Sequence, residues 1–200
     1  MGYTGEMPKT AKERGKTAPY KMGHIAIRTD RFEEMIEWYG KVLEAKIAFR
    51  NDDMAFMTYD DEHHRVAIIR MPGLVEPPEK YSGLEHVSFT YQTLGDLLAT
   101  YRRLKTIEIE PFWTIIHGPT VSMYFKDPDQ NKVELQIDVF ETPEEVNTYF
   151  AAGHYLENPM GIIFDPEDMI EKYEAGVTFE ELVKRPKLPE GMSPWDMLRD

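Results

Sequence analysis

The chain has 200 residues, of which 42% are hydrophobic and 12% aromatic, enough for one compact domain or two small half-domains that share a core. Its net charge of −13 excludes the basic face that nucleic-acid binding requires, and no apolar run approaches the roughly 18 residues of a membrane span. Because the sequence has no cysteine and its start lacks a secretory signal, we expect a cytoplasmic protein with small-molecule or protein partners.

The N-terminal stretch is predicted to be a flexible arm. Residues 1–21 carry five basic and two acidic side chains, with few apolar residues between them. We therefore expect the chemistry of the protein to lie further along the chain.

An internal repeat organises the middle of the sequence. Residues 24–27 (HIAI) and residues 86–89 (HVSF) each predict a strand that opens with a histidine, 62 residues apart. A helix-like pattern of apolar residues follows each strand at the same four offsets. These positions are Phe32, Met35, Ile36 and Tyr39 in the first copy, and Leu94, Leu97, Leu98 and Tyr101 in the second. Two helices with one pattern indicate a duplication.

The later strands of the two copies also correspond. Residues 65–68 (RVAI) align with residues 132–135 (KVEL), and a polar turn precedes each of them. We therefore predict an α+β fold of two paired βαβββ modules, residues 22–72 and 84–140. The proline-containing segment 71–78 is interpreted as the linker between them.

The repeat ends near residue 140, and helix-start signals replace it. Residues 141–200 carry fourteen acidic and five basic side chains, a balance typical of solvated helices. Helix starts are predicted at Thr142, Asp165 and Thr178, and a helix end at Gly176. We predict an acidic helical C-terminal extension that packs over the sheets.

Three side chains of the repeat form a candidate metal site. Because side chains alternate along a strand, His24, His86 and Glu134 point to one concave face if the two modules pair about a local twofold axis. Ala67 occupies the position that matches Glu134 in the first module, so a symmetric four-ligand site lacks one ligand. Two histidines and one carboxylate with open neighbouring positions are expected for non-haem Fe(II) enzymes, whereas structural zinc needs a fourth protein ligand.

These motifs resemble the type I extradiol ring-cleaving dioxygenases, in a one-domain form, within the vicinal-oxygen-chelate superfamily. The resemblance rests on residues 62–67, 84–89 and 117–135, including the 10-residue spacing from Tyr124 to Glu134. It implies that the two modules form a half-barrel cleft that holds the metal. It also implies a homo-oligomer.

The resemblance further implies roles for three other side chains. His64 is similar to the family's acid/base histidine, which handles the proton of the catechol. Tyr124 and His117 are similar to a tyrosine and a histidine that donate to oxygen atoms where charge develops. The activity implied is cleavage of a catechol-type aromatic diol with O2 as co-substrate, dependent on Fe(II) or alternatively on Mn(II). His63, by contrast, is expected to be an ordinary exposed turn residue.

The turn before Glu134 carries one further expectation. Relatives have glycine where this chain has Gln130, and we expect the neighbouring Asn131 to adopt the left-handed conformation instead.

Two other functions fit the same predicted fold. The first is a different metalloenzyme, such as a glyoxalase or an epimerase, which the alanine at position 67 disfavours. The second is a binding protein that sequesters drugs in the cleft. A sequestering pocket has no need of acid/base groups such as His64, His117 and Tyr124.

Overall fold

The computed structural model describes residues 9–75 and 82–199. Contacts group these residues into two compact units. The first unit contains the described residues of 11–86 and 126–132, and the second contains residues 9–10, 87–125 and 133–199. Residues 1–8 of the predicted arm and the end of the predicted linker lie outside the described residues.

The first unit contains a four-stranded sheet in the order β1-β4-β3-β2, with β1 and β4 parallel. Its elements in chain order are β1 (Ile25–Thr29), α1 (Phe32–Leu43), β2 (Lys46–Arg50), β3 (Met54–Thr58) and β4 (Val66–Arg70). The four repeat positions of α1 are all buried, as the helical spacing predicts. Ala67, on β4, pairs with Ala26 on one side and with Phe56 on the other.

The second sheet has five strands in the order β5-β8-β7-β6-β9, and its last strand, β9 (Ile162–Ile163), lies in the C-terminal extension. Its elements before the C-terminal extension are β5 (His86–Thr90), α2 (Leu94–Lys105), β6 (Trp113–Ile116), β7 (Thr120–Lys126) and β8 (Lys132–Asp138). The strands β5-β8-β7-β6 repeat the order β1-β4-β3-β2, and a helix follows the first strand of each copy. The α+β fold with two βαβββ modules is therefore confirmed.

The C-terminal extension contributes helices and one short strand to the second unit. Its elements are α3 (Pro143–Ala151), α4 (His154–Glu157), β9 (Ile162–Ile163), α5 (Pro166–Glu174), α6 (Phe179–Leu182) and a 3-10 helix (Pro194–Met197). β9 pairs with β6, so the extension completes the sheet edge. Within the described part of the chain, no helix is long and apolar enough to cross a membrane.

The predicted helix boundaries are confirmed. The side chains of Thr142, Asp165 and Thr178 each accept a hydrogen bond from a backbone N–H in the first turn of α3, α5 and α6. These bonds satisfy amide groups that have no partner within a helix. Gly176 follows α5 with a positive φ of 79°, the left-handed conformation that ends many helices.

The expectation for the turn before β8 is wrong, because Gln130 and not Asn131 is left-handed, with φ of 66°. The reason lies in the buried carboxylate of Asp127. It accepts hydrogen bonds from the backbone N–H and the side-chain amide of Asn131, both at 2.8 Å. Because Asn131 is held on both groups, Gln130 takes the conformation that closes the turn.

Candidate metal and catalytic site

A buried hydrogen bond joins two neighbouring strands of the second sheet. Tyr124 on β7 donates its phenolic proton to Oε1 of Glu134 on β8 over 2.7 Å. Both side chains are 4% exposed. Both residues carry functions predicted from their motifs, and the structure brings them into direct contact.

His117 extends this pair into a chain of three. It follows β6, and its Nε2 lies 3.1 Å from the Tyr124 hydroxyl. Its Nδ1 contacts the backbone carbonyl of Met160 in the C-terminal extension. A carbonyl oxygen only accepts hydrogen bonds, so Nδ1 carries a proton and donates it. In the neutral imidazole, the Nε2 lone pair is then left to face Tyr124.

An apolar wall surrounds the phenol. The rings of Trp113 and Tyr124 stack with centroids 4.7 Å apart. The same buried cluster contains Ile115, Ile162 and Met197, of which the last two come from the C-terminal extension. Such surroundings exclude water, so the hydrogen bonds of the chain act in a medium of low dielectric constant.

The extension also brings Tyr155 into the electrostatic field of Glu134. Burial raises the pKa of the Tyr155 phenol, the positive charge of Arg185 lowers it, and the negative charge of Glu134 raises it further. Tyr155 therefore stays protonated at neutral pH. No repeat and no motif pointed to Met160 or Tyr155, because both lie in a segment without internal symmetry.

In the first unit, the His64 ring contacts the rings of His24 and Phe56. The His24 and His64 rings have centroids 4.4 Å apart, and Phe56 stacks on His64 at 4.6 Å with an interplanar angle of 16°. Burial, followed by the charges of His24 and His63, lowers the pKa of His64 below its ordinary 6.5. His64 is consequently a neutral imidazole at neutral pH and can accept a proton. The His63 side chain is 73% exposed, as expected.

His86 opens β5 and contacts a carboxylate through one ring nitrogen. Its Nδ1 is hydrogen-bonded to Glu85, which also pairs with Lys132 at 3.0 Å. Burial opposes ionisation of Glu85, but the bonds from His86 and Lys132 lower its pKa overall. A carboxylate on Nδ1 orients the ring, an arrangement usual for metal-binding histidines.

The three predicted metal ligands are divided between the units. His24 and His86 belong to the first, and Glu134 belongs to the second. Among the described residues of either unit, no three His, Asp or Glu side chains form a group that would hold a metal ion. The three-residue site therefore stays a prediction. The donor chemistry fits a divalent cation, because imidazole nitrogens and one buried carboxylate oxygen are suitable ligands.

The two sheets with matching strand order define a duplicated α+β fold. The chain belongs to the Glyoxalase/Bleomycin resistance protein/Dioxygenase superfamily, whose family model matches residues 21–135. A glyoxylase/bleomycin resistance protein/dioxygenase domain from Frankia sp. EAN1pec has the same fold, with a TM-score of 0.51 and 19% identity over 60% of this chain and 99% of that domain.

Two relatives from Rhodococcus globerulus are more similar in sequence. The chain is 42% identical to Biphenyl-2,3-diol 1,2-dioxygenase 2 over 167 residues, which cover 83% of this chain and 88% of the relative. It is also 42% identical to Biphenyl-2,3-diol 1,2-dioxygenase 3 over 171 residues, which cover 84% and 90%. Both alignments extend well beyond the length of the family match, so the likeness includes residues outside 21–135.

Proposed function

We propose that this protein is a non-haem Fe(II)-dependent extradiol dioxygenase that cleaves the ring of a catechol-type diol with O2. The observation that carries the proposal is the chain His117–Tyr124–Glu134, which links two proton-carrying side chains to a predicted metal ligand. Tyr124 and Glu134 are buried. Because the names of both Rhodococcus relatives specify biphenyl-2,3-diol, this compound is the first substrate to test.

His24, His86 and Glu134 would hold the metal. The Glu85 carboxylate on His86 Nδ1 and the burial of Glu134 support these assignments. Fe(II), or alternatively Mn(II), would supply the redox chemistry that lets a diol and O2 react. The remaining catalytic steps fall to groups of the chain itself.

Three side chains would move protons. The neutral imidazole of His64 is suited to accept a hydroxyl proton of the diol. Tyr124 holds a proton between two acceptors, Glu134 Oε1 and His117 Nε2. It is suited to donate to an oxygen of the substrate. His117 is suited to replace that proton through Nε2 once Nε2 has taken up a proton from solvent and the ring is an imidazolium. The apolar wall at Trp113 excludes competing water.

The two other functions predicted from the sequence find less support. A four-ligand glyoxalase site would need a carboxylate near Ala67, which is buried in β4 between Ala26 and Phe56. A sequestering protein would bury the polar chain of Tyr124 and Glu134 without using it, although buried polar groups are costly to maintain.

A homo-oligomer is also proposed, on the basis of the family resemblance. Its support in the structure is strand β2, which ends the first sheet with Ile47 and Phe49 about half exposed, at 47% and 49%. Exposed apolar edge strands are surfaces that proteins often cover by association. Light scattering coupled to size-exclusion chromatography measures the mass in solution, and a mass of 23.4 kDa at all concentrations would contradict this proposal.

The activity is tested by reconstituting the protein with Fe(II) under anaerobic conditions. Biphenyl-2,3-diol and unsubstituted catechol are then added with air-saturated buffer. We expect a yellow ring-opened product and consumption of one O2 for each diol. Glu134→Gln, loaded in the same way, serves as the matched control and should lose both signals. The wild-type protein binding iron without consuming O2 on any diol would refute the proposed reaction.

A further inference from the structure

We propose that Arg185 is a positioning residue which, acting through the Met160 carbonyl, keeps His117 Nδ1 protonated and His117 Nε2 directed at Tyr124. This inference rests on the proposed function, in which His117, after taking up a proton on Nε2, passes it to Tyr124. It assigns the C-terminal extension a part in the reaction besides completing the sheet.

The guanidinium of Arg185 ties three separate backbone positions together. Its Nη1 donates to the carbonyl of His117 at 3.1 Å and to that of Asn158 at 2.7 Å. Its Nη2 donates to the carbonyl of His154 at 2.8 Å. One side chain thus holds the residue that carries the imidazole, the start of α4 and the loop after α4. We call this arrangement the Arg185 clamp.

The loop held by the clamp is itself rigidly built around Asn158, which is 5% exposed. The side-chain oxygen of Asn158 accepts hydrogen bonds from the backbone N–H groups of Met160 at 3.1 Å and Gly161 at 2.9 Å. Its amide nitrogen donates to the Gly161 carbonyl at 2.9 Å. All polar groups of this side chain therefore serve to fix the loop that presents the Met160 carbonyl.

Gly161 brings this loop against β6. Its φ is 112°, and a Cβ atom there would lie 2.4 Å from the carbonyl oxygen of Ile116 and 2.9 Å from Cα of His117. Only glycine tolerates both the conformation and the contact. The loop therefore packs directly against the end of β6, and in this arrangement the Met160 carbonyl meets Nδ1 of His117.

The clamp determines which nitrogen of His117 carries the proton in the neutral ring. An imidazole without a partner on Nδ1 is free to place its proton on either nitrogen or to turn away. With Met160 in place, Nδ1 keeps a proton at all times, and only Nε2 exchanges protons with Tyr124. Loss of the clamp should therefore lower the rate of the proton transfer more than the binding of substrate.

The experiment combines NMR with kinetics on the full-length chain. Long-range 1H–15N spectra of histidine-labelled protein, purified without added metal, distinguish the Nδ1–H form from the Nε2–H form, and His117→Asn identifies the signal. Arg185→Met removes the three donors at nearly constant side-chain length, and Arg185→Lys restores the charge and some donors. Arg199→Met is the matched control, because Arg199 also donates to two carbonyls but only within its own segment.

We expect the Nδ1–H form in the wild type and a mixture of forms in Arg185→Met. With Fe(II) and biphenyl-2,3-diol, the kcat of Arg185→Met should fall about tenfold to a hundredfold, with KM changed far less. Arg185→Lys should recover part of the Nδ1–H population and part of the kcat. Arg199→Met should match the wild type in both measurements. If Arg185→Met does not fold, Asn158→Ala serves as the second variant. It removes the side chain that fixes the loop carrying the Met160 carbonyl.

Two results would overturn the inference. One is the Nε2–H form at His117 in the wild type, which needs no variant. The other is a folded Arg185→Met with unchanged His117 signals and unchanged kcat. A wild-type protein that shows the Nδ1–H form but cleaves no diol would instead refute the proposed function and leave the positioning of His117 established.

Discussion

Tyr124 and Glu134 lie ten residues apart in the sequence but side by side on β7 and β8, with the phenol oxygen 2.7 Å from the carboxylate. Both side chains are buried, so this bond is shielded from solvent. The phenol also faces His117 Nε2 at 3.1 Å. One hydroxyl thereby connects a predicted metal ligand with a predicted proton donor.

Removing the Tyr124 hydroxyl should lower the rate of ring cleavage. In Tyr124→Phe the ring can still stack on Trp113, but the hydrogen bonds of the phenol to Glu134 and His117 are lost. We expect kcat to fall about a hundredfold or more, which is the usual range for loss of an acid/base group. Steady-state O2 consumption measures it. Tyr20→Phe, at a side chain that is 96% exposed, should keep the wild-type rate. Equal rates for the two variants would remove Tyr124 from the mechanism.

Substitutions at two histidines should separate the loss of metal binding from the loss of ring cleavage. His86→Ala removes a predicted ligand, so iron content and activity should be lost together. His64→Phe should keep iron and diol binding but not ring cleavage, because it removes only a proton acceptor. Elemental analysis measures the iron content of each variant, and titration with the diol measures substrate binding. His63→Ala, at a ring exposed to solvent, should retain its iron. Turnover by His64→Phe is the outcome that contradicts the assigned role.

A carboxylate introduced on the first sheet tests the alignment of the two modules. Ala67 is 4% exposed on β4, the strand equivalent to β8. Ala67→Glu should supply the missing fourth ligand and abolish O2 consumption while iron stays bound. Ala67→Ser, which keeps the residue small, should remain active. An Ala67→Glu protein with iron and the full rate would show that positions 67 and 134 are not equivalent.

The buried Asp127 should make stability depend on pH. Burial raises the pKa of Asp127 above the ordinary 3.8, although hydrogen bonds from Asn131, Tyr39 and Asp129 lower it. Because the folded-state pKa exceeds the unfolded one, the contribution of this group is complete below the unfolded pKa and is lost as pH rises through the folded pKa.

We therefore expect the free energy of unfolding of the wild type, relative to Asp127→Asn, to decrease from about pH 4 to neutral pH. Urea denaturation of both proteins across this range measures the difference. Comparing the two cancels the contributions of other carboxylates, such as Glu85, whose lowered pKa acts in the opposite direction. A difference that is constant or increases with pH is incompatible with the raised pKa.

The C-terminal extension should contribute to the stability of the second unit through β9. Ile162 is 8% exposed and packs in the cluster of Trp113, Ile115, Tyr124 and Met197. We expect Ile162→Ala to reduce the free energy of unfolding by about 2 to 4 kcal/mol, because it leaves a cavity in a packed cluster. Ile47→Ala, at a side chain that is 47% exposed, should cost below about 1 kcal/mol in the same urea titration. If Ile162→Ala and Ile47→Ala lost the same free energy of unfolding, Ile162 would contribute no more to stability than an exposed isoleucine.

Much of the fold was predictable because the chain repeats its own pattern. The apolar offsets of α1 and α2 and the matching strands predicted two βαβββ modules, and the two sheets share their strand order. The starts of α3, α5 and α6 were predictable from single capping residues, since a cap acts within one turn of chain. Tyr124 and Glu134 were each predicted as functional residues by the motif resemblance, whereas the hydrogen bond between them was not predicted.

The surroundings of the site depend on contacts that no local pattern records. The Arg185 clamp joins residues 27 to 68 positions apart in the sequence. Gln130, and not Asn131, is left-handed in a turn whose Asp127 carboxylate accepts hydrogen bonds from three groups of the turn and from the distant Tyr39. The sequence by itself determined which elements form and which residue types carry the chemistry, since both depend on short-range spacing. Only the tertiary structure decided which backbone groups hold His117, because such contacts form when distant segments pack.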